Sequence, residues 1–308
     1  MKKTILIACL GLVSLGLQAQ SISLAGEWNV ELGKSGSAFA KSKRASQGEV
    51  KRAILPGTID TNHLGFAPKD TMETTHLTRL YAYKGAARYS RTINIPKDWK
   101  KKPVELFLER TRPTWVYVDG ELVDSCNFIS TPQRYLLPKK VKPGKHLLEI
   151  VVDNGRGVPE QVYGSSHAYT EDTQTNWNGI IGRIELQLVS STDCKSTETL
   201  AGAISSRSVV PLAGAVPSRS VVSPSALQMP DFAKDFHIKG AHFYANGHRI
   251  FLRGKHDAAV WPLTGHVEMS VEGWMKYLGT CKKYGINHVR FHSWCPPEAA
   301  FVAADSLG

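Results

Sequence analysis

The chain has 308 residues, enough for about two ordinary domains. Its apolar fraction of 42% and mean hydropathy of -0.22 are typical of a soluble globular protein, and past the N-terminus no apolar run approaches the roughly 18 residues of a membrane-spanning helix. The formal net charge of +11 comes without a basic helix or zinc-finger spacing. Nucleic acid is therefore not expected as a partner, whereas an acidic polysaccharide is compatible with the charge.

Residues 1–20 have the three parts of a secretory signal peptide. Two lysines precede an apolar run from Ile5 to Leu17, and small and polar residues follow, which predicts cleavage near Ala19 or Gln20. The segment LIAC at residues 6–9 resembles a lipoprotein box, but it lies too close to the lysines for a lipid anchor to be expected. We expect a secreted or periplasmic protein with no membrane contact after cleavage.

Residues 21–190 are predicted to form an all-β domain. Short segments rich in β-branched and aromatic residues alternate with turn signals, and no convincing helix pattern interrupts them. The clearest of these segments are ARYSRTINI, VELFLER, TWVYVDG, KHLLEIVVDN and GRIELQLV. Many short strands joined by regular turns predict an antiparallel sandwich, with a jelly roll as the favoured topology.

Residues 191–232 have the composition of a linker. LAGAISSRSVVP at residues 200–211 is followed directly by LAGAVPSRSVVS, a 12-residue tandem repeat, and two short copies are too few for a solenoid. Small residues, serine and proline dominate, which favours a disordered connection. A local sequence duplication explains the repeat as well as a function does.

Residues 233–308 change to a mixed pattern. FHIKGAHFYANGHRIFLRG predicts short strands with a turn at residues 245–247. Ser270 suits the N-cap of a helix that runs to about Tyr284 and stops at Gly285. INHVRFH is then a strand, and PPEAAFVAADSLG begins another helix. This strand, helix, strand, helix order predicts a parallel α/β unit.

Four stretches of the sequence carry a family resemblance. Three of them are LAGEW at residues 24–28, NWNGIIGRIEL at residues 176–186 and NGHRIFLRG at residues 246–254; the fourth, at the end of the chain, has a signature spacing formed by Asn287, Val289, Arg290, Asp305 and Gly308. Together they resemble glycoside hydrolase family 2, the group of β-galactosidases, β-glucuronidases and β-mannosidases. The resemblance implies a multidomain protein: a galactose-binding-like jelly-roll sandwich followed by an incomplete (β/α)8 TIM-barrel segment.

The fourth stretch departs from the family pattern in its middle. The family has two small residues, a histidine, an aromatic residue and a proline at this point. This chain has a different run, consisting of Phe291, His292, Ser293, Trp294 and Cys295. Its histidine therefore lies one place early relative to the family's sugar-contacting histidine.

Strand alternation predicts which side chains form a site. In NHVRFH, Arg290 and His292 share one face, and His256 with Asp257 lie just beyond the preceding predicted strand, FLRG. Because residues at the C-terminal ends of barrel strands face the substrate, we expect these four side chains to bind a sugar. Arg290 is a candidate to hold a sugar hydroxyl or orient a carboxylate, and a structural ion pair is the alternative.

Three further candidates complete the predicted substrate site. Trp294 is a candidate to stack on a pyranose ring, with a place in the core as the alternative. The family resemblance adds Asp172 and Trp177, which lie where the family's N-terminal domain reaches the active site. Trp177 has the same core alternative as Trp294.

A catalytic pair is not found in the sequence. Retaining hydrolysis requires two carboxyl groups about 5–5.5 Å apart, and no credible pair exists among the acidic residues after residue 250, which are Asp257, Glu268, Glu272, Glu298 and Asp305. Only 73 residues follow Asp235, whereas a (β/α)8 barrel needs about 250. We therefore expect the front part of a glycoside hydrolase that is inactive alone. The alternatives are a stand-alone carbohydrate-binding module and a purely structural fragment.

No cofactor or metal is expected, because the four cysteines outside the signal peptide are scattered without a CxxC pair. One disulfide bridge remains open. The expected partner is an oligosaccharide or polysaccharide, and the sequence leaves the oligomeric state undetermined.

Overall fold

The computed structural model describes residues 21–36, 49–69, 72, 74–139, 141–189 and 235–308. The predicted signal peptide and the predicted linker with its repeat lie outside these residues. The described chain forms a two-sheet sandwich, a three-stranded meander and a parallel strand pair accompanied by two helices.

The sandwich consists of short strands, as the sequence predicts. They are β1 (Ser21–Ser23), β2 (Gly26–Gly33), β3 (Lys51–Leu55), β4 (Gly57–Thr58), β5 (Ala86–Ile95), β6 (Val104–Thr111), β7 (Thr114–Val118), β8 (Glu121–Cys126), β9 (Gln133–Leu136), β10 (Gly144–Asp153) and β11 (Gly179–Leu188). A 3-10 turn (Lys97–Trp99) and the short helix α1 (Glu160–Ser165) interrupt them. The prediction that no helix interrupts this region is therefore wrong for α1, which is a single short helix without a buried face.

Both sheets of the sandwich are antiparallel. One has the order β3-β2-β5-β10-β7-β8, and the other has the order β1-β11-β6-β9 with β4 paired to β11. The β7–β8 hairpin turns at Asp119 and Gly120, both with positive φ (52° and 80°), which is the conformation that two-residue hairpin turns require. Alternate residues of the facing strands meet between the sheets and form one apolar core, which includes Trp28, Tyr89, Leu106, Tyr135 and Ile150.

The meander precedes the parallel unit. It consists of β12 (Phe236–Lys239), β13 (His242–Ala245) and β14 (His248–Ile250), paired in sequence order. The predicted turn is confirmed, because Asn246 and Gly247 both have positive φ (50° and 76°) between β13 and β14.

The parallel unit has the predicted order of elements. They are β15 (Gly254–Asp257), α2 (Val271–Lys283), β16 (His288–Phe291) and α3 (Glu298–Leu307), with β15 parallel to β16. The Ser270 hydroxyl accepts from the Gly273 N–H at 3.0 Å and Gly285 has φ 78°, so the predicted cap and stop of α2 are confirmed. Two parallel strands do not close a barrel, and the described residues form no further part of one.

The first strand of this unit begins later than predicted. The segment FLRG was expected to be the strand, but Phe251 is 77% exposed and the ladder starts at Gly254. The reason is Asn287, whose side chain accepts from the Arg253 N–H at 2.8 Å and donates to the Phe251 carbonyl at 3.0 Å. His256 and Asp257 therefore lie inside the strand, at its C-terminal end.

A second apolar cluster joins the parallel unit to the sandwich. Trp177 and Ile181 of the sandwich pack with Trp274 and Leu278 of α2 and with the buried alanines of α3. The backbone N–H and the hydroxyl of Thr175 both donate to the Gly265 carbonyl, at 3.3 and 2.5 Å. The outer side of the β6–β11 sheet is thus covered by the C-terminal residues.

Two further observations concern the whole described chain. Its helices are each too short or too polar to cross a bilayer. Cys126, Cys281 and Cys295 are free thiols, while Cys194 lies outside the described residues.

Candidate functional site

The C-terminal ends of the two parallel strands bring His256 and Arg290 side by side. The register pairs His256 with Arg290 and Asp257 with Phe291, so alternation directs the first pair to one face of the strands and the second pair to the other. The Arg290 Nη1 donates to His256 Nε2 at 3.2 Å. Both side chains are exposed, whereas Val289 and Phe291 on the opposite face pack into the apolar cluster, as the sequence predicts.

His292 extends this group beyond the end of β16. Its backbone N–H donates to the Asp257 carbonyl at 2.7 Å, which fixes the residue beside β15. Its ring stacks on His256 with ring centroids 4.7 Å apart and planes 16° apart. His292 therefore lies with His256 and Arg290, as expected, although its place in the sequence departs from the family pattern.

A fourth basic side chain, His167, reaches the group from the sandwich. It lies in the loop after α1, and its ring meets His292 edge to face at 4.2 Å. The Thr173 hydroxyl lies 2.6 Å from His167 Nδ1 and holds the ring in place. We call His167, His256, Arg290 and His292 the basic cluster. It combines one sandwich loop with two strand ends.

The basic cluster contains no compensating acid. Among the described residues, no carboxylate forms an ion pair with any of its four side chains. Desolvation and the neighbouring His167, His256 and Arg290 lower the pKa of the His292 imidazole, since all three neighbours disfavour another positive charge. The cluster is therefore a concentration of hydrogen-bond donors and latent positive charge.

The Asp257 side chain is buried and hydrogen-bonded within the protein. It is 4% exposed, and its carboxylate accepts from Lys255 Nζ at 3.0 Å, from the Ala259 N–H at 2.7 Å and from the Tyr277 hydroxyl. Burial would lower the pKa of Lys255, but the hydrogen bonds that its Nζ donates to Tyr277 and Asp257 raise it overall. The Asp257 side chain faces away from His256, so its expected direct sugar contact is not supported by the structure.

Trp294 and Trp177 are also packed. Trp294 is half-buried against Trp274 and Phe291, and its indole Nε1 donates to the Asp257 carbonyl at 3.1 Å. Trp177 is only 2% exposed, and the Arg112 guanidinium lies 4.2 Å from its ring centroid. Trp177 is therefore a core side chain, whereas Trp294 is partly buried and packs against the edge of the same apolar cluster.

The buried Arg112 side chain contacts both the ring and the backbone of Trp177. Its guanidinium lies between the rings of Tyr169 and Trp177, and it donates to the carbonyls of Trp177 and Thr175 at 3.0 Å each. Burial lowers the pKa of Arg112 to about 10. This stacking orders the loop that carries His167, which makes it a support of the basic cluster.

Asp172 lies in the same loop but outside the basic cluster. It is exposed, and its carboxylate is 2.6 Å from His76 Nδ1. Of the seven predicted substrate-binding residues, the structure brings together three, namely His256, Arg290 and His292. The sequence analysis missed His167, because its segment HAYTEDTQTN has no periodicity or spacing that indicates a contact more than a hundred residues away.

The remaining carboxylates of this region support helix starts and surface pairs. Glu268 accepts from the backbone N–H groups of Met269 and Ser270 at 2.9 and 2.7 Å, just before α2. Glu298 lies 3.7 Å from Arg183 at the start of α3. No group of three or more His, Cys, Asp or Glu side chains in the described chain is arranged to hold a metal ion.

A separate open cleft of about 540 Å³ lies between the sandwich and the start of α2. Part of its polar lining already has partners: Glu109 accepts from the Arg183 N–H at 2.7 Å, and His266 Nδ1 donates to the Val267 carbonyl at 2.9 Å. The basic cluster gathers four basic side chains at the C-terminal ends of the two parallel strands and is the stronger candidate site.

Comparison with known proteins gives partial structural likeness. No protein-family model matches the chain, and no curated protein matches it. Among solved structures, a β-glucuronidase from Faecalibacterium prausnitzii is 18% identical with a TM-score of 0.41, covering 57% of this chain and 32% of that one. A family 2 β-galacturonidase from Eisenbergiella tayi is 22% identical with a TM-score of 0.38, covering 56% and 25%. An uncultured Clostridium sp. β-glucuronidase is 16% identical with a TM-score of 0.42, covering 57% and 30%. This chain therefore matches about a third or less of the length of each.

Proposed function

We propose that this chain is the sugar-binding front part of a glycoside hydrolase of family 2 type. The observation that carries the proposal is the basic cluster, in which a loop of the β-sandwich meets the C-terminal ends of two parallel strands. In (β/α)8 enzymes the substrate lies at this end of the strands. The sequence signature supports the same reading, since its Asn287 fixes where β15 begins.

The domain organisation follows from this proposal. Residues 21–190 are a jelly-roll sugar-binding domain, and residues 233–308 are the beginning of a catalytic (β/α)8 barrel. Residues 1–20 direct export, and residues 191–232 connect the two parts. We infer that the residues at the ends of the parallel strands contribute sugar positioning rather than bond cleavage, because Arg290, His256 and His292 are hydrogen-bonding groups and none of them is a carboxylate.

Binding of simple glycosides to the full chain tests the proposal. We expect saturation-transfer NMR, with each ligand at millimolar concentration, to detect binding of at least one of the methyl β-glycosides of galactose, glucose, mannose and glucuronic acid. Arg290→Met removes a donor of the basic cluster and is expected to weaken that binding. Arg249→Met, on the exposed strand β14, removes the same charge elsewhere and is the matched control. Absence of binding by every glycoside would contradict the proposal.

Turnover is the second measurement. We expect no release of p-nitrophenol from p-nitrophenyl β-glycosides by the full chain. Release that is lost in Asp257→Asn or Glu298→Gln would show that a catalytic carboxylate had been overlooked.

The alternative function is a stand-alone carbohydrate-binding module. It is favoured by the separate apolar core of the sandwich, which does not include residues of the parallel unit. Binding that is unchanged by Arg290→Met and by His292→Ala would support this alternative, because the sugar would then lie on the sandwich alone.

A further inference from the structure

The open cleft between the sandwich and the start of α2 is a second place where a small molecule fits. Its volume of about 540 Å³ lies within the range of small-molecule sites. One wall comes from the sandwich, with Glu109 on β6 and Gly182 on β11. The other wall comes from the residues before α2, which include Trp261, His266 and Glu268. A ligand here would contact both parts of the described chain.

The hydroxyl and guanidinium donors of this cleft already have partners. The Thr61 hydroxyl donates to a backbone carbonyl of its own turn at 3.1 Å, and the Thr264 hydroxyl donates to the His266 carbonyl at 2.7 Å. Arg183 is the one cation among the described residues that line the cleft, and its Nε donates to the Glu109 carboxylate at 3.3 Å. Most of the donors that a ligand would meet are therefore engaged.

Acceptor atoms in the same cleft are left free. Glu109 is only 9% exposed, and its Oε2 accepts from the backbone N–H and Nε of Arg183, whereas its Oε1 has no hydrogen-bond partner in the described chain. The His266 Nδ1 must donate to the Val267 carbonyl, since a carbonyl oxygen only accepts. Burial lowers the pKa of this imidazole. Its Nε2 is therefore an acceptor at neutral pH, and the described residues give it no donor.

Carboxylates outnumber cations around the cleft. The Arg183 guanidinium is shared between Glu109 and Glu298, whose Oε2 lies 3.7 Å from its Nη2. Burial would raise the pKa of Glu268, but hydrogen bonds from the two residues that follow it lower the pKa overall, so this carboxylate is ionised at neutral pH. Within the described chain Glu268 forms no ion pair. One guanidinium thus serves three carboxylates, and the region is negatively charged.

An apolar surface lies beside these acceptors. The half-buried Trp261 ring and the Met269 side chain both line the cleft. A Cβ added to Gly182 would lie 2.7 Å from both Glu109 Oε2 and Met269 Cε, so the carboxylate and the methyl group are neighbours. Tryptophan is the side chain whose ring attracts organic cations most strongly. The cleft therefore combines negative charge with an apolar wall.

We propose that this cleft binds an alkylammonium group, as carried by a free diamine or by the lysine side chain of a peptide. The ammonium supplies the donors that Glu109 Oε1 and His266 Nε2 lack and compensates the charge of Glu268, while the alkyl chain lies against Trp261 and Met269. A metal ion is a poorer fit, because no three His, Cys, Asp or Glu side chains of the described chain are arranged to hold one. The inference does not depend on sugar binding at the basic cluster.

The test compares ligands of equal length that differ in charge. Cadaverine has an ammonium group at each end of a pentane chain, and 1,5-pentanediol has hydroxyl groups at the same places. In NMR titrations at neutral pH and constant ionic strength, we expect the full chain to bind cadaverine about tenfold or more tightly, the size of one charge-assisted hydrogen bond. Nα-acetyl-lysine methylamide is the third ligand, and its affinity relative to cadaverine distinguishes a peptide lysine from a free diamine.

Two variants and one control complete the experiment. Glu109→Gln and Glu268→Gln keep an oxygen that accepts from the backbone N–H groups but remove the charge, so each should weaken cadaverine binding about tenfold. Glu160→Gln, exposed in α1, removes the same charge elsewhere and should leave this binding unchanged. Circular dichroism checks that each variant is folded, and a folded Glu268→Gln chain suffices if Glu109→Gln is not.

Three results would overturn the inference. They are equal affinity for cadaverine and pentanediol, cadaverine binding that is kept in both glutamine variants, and binding of neither ammonium ligand. None of them bears on the proposed function, because sugar binding is measured with other ligands and tested by variants of the basic cluster.

Discussion

Arg110 on β6 donates through Nη1 to the Cys295 carbonyl at 2.7 Å, across 185 positions of sequence. The side chain is 7% exposed and also donates to the Ser130 carbonyl at 3.1 Å. Burial lowers the pKa of Arg110 although Cys295 and Glu109 oppose this change. A buried guanidinium is costly, so its bonds to two loops indicate that it holds the segment between β16 and α3 against the sandwich.

Replacing this guanidinium tests the link. In Arg110→Met we expect amide hydrogen exchange of residues 292–300 to become about tenfold to a hundredfold faster, the size of one lost hydrogen bond to a charged group. Exchange within the sandwich core should change little. Arg52→Met, whose parent side chain is 70% exposed and pairs with Glu27, is the control and should leave both regions unchanged. Unaltered exchange of residues 292–300 in Arg110→Met would show that the link is not stabilising.

Trp274 is the central side chain of the cluster between sandwich and parallel unit. It is fully buried, and its indole Nε1 donates to the Glu268 carbonyl at 2.8 Å. We expect Trp274→Ala to lower the free energy of unfolding by about 3–5 kcal/mol, because a large cavity replaces the ring. Tyr284→Ala, at the end of the same helix and 84% exposed in the parent, should cost less than about 0.5 kcal/mol. Urea denaturation measures the free energy of unfolding of both variants. Similar midpoints for the two would contradict the central place of Trp274 in this cluster.

Two glycines in α2 provide a matched pair. A Cβ at Gly279 would meet no atom within 4 Å, so Gly279→Ala should stabilise the protein by about 0.5–1 kcal/mol through helix propensity. A Cβ at Gly273 would lie 2.4 Å from Glu268 Cδ, which forces that carboxylate away from the N–H groups it accepts from. Gly273→Ala should therefore be less stable than Gly279→Ala, as judged by the urea midpoint. The reverse order would mean that Glu268 is not needed at the helix start.

Local patterns in the sequence were sufficient to predict many of the strands, helices and turns of this fold. The alternation of NHVRFH correctly placed Arg290 on the exposed face, and the cap at Ser270 and the stop at Gly285 were found because both depend on neighbouring residues. The start of β15 was misplaced because it depends on the side chain of Asn287, which is more than thirty residues away.

The candidate site was less accessible to sequence reasoning. Trp177 and Asp257 have the residue types of a sugar site, but their burial is decided by Arg112 and Tyr277, which only the folded chain brings near. His167 joins the basic cluster for the same reason. Its contact with His292 exists only because the sandwich packs against the parallel unit.

His266 should make the stability of the protein depend on pH. It lies at the junction near the Trp177 ring, and burial lowers its pKa from the ordinary value of 6.5, outweighing the opposing effects of Val267, Glu268 and Asp60. As the pH falls below about 6.5, the unfolded chain takes up a proton that the folded chain resists, so the free energy of unfolding decreases. The slope for one proton is at most about 1.4 kcal/mol per pH unit.

His292 has a lowered pKa as well, so His266→Gln should reduce the slope between pH 7.5 and 5.5 without abolishing it. The control is His242→Gln on the exposed strand β13, which should keep the parent slope in urea denaturation at each pH. An equal slope in His266→Gln and the parent would mean that His266 does not contribute to this dependence.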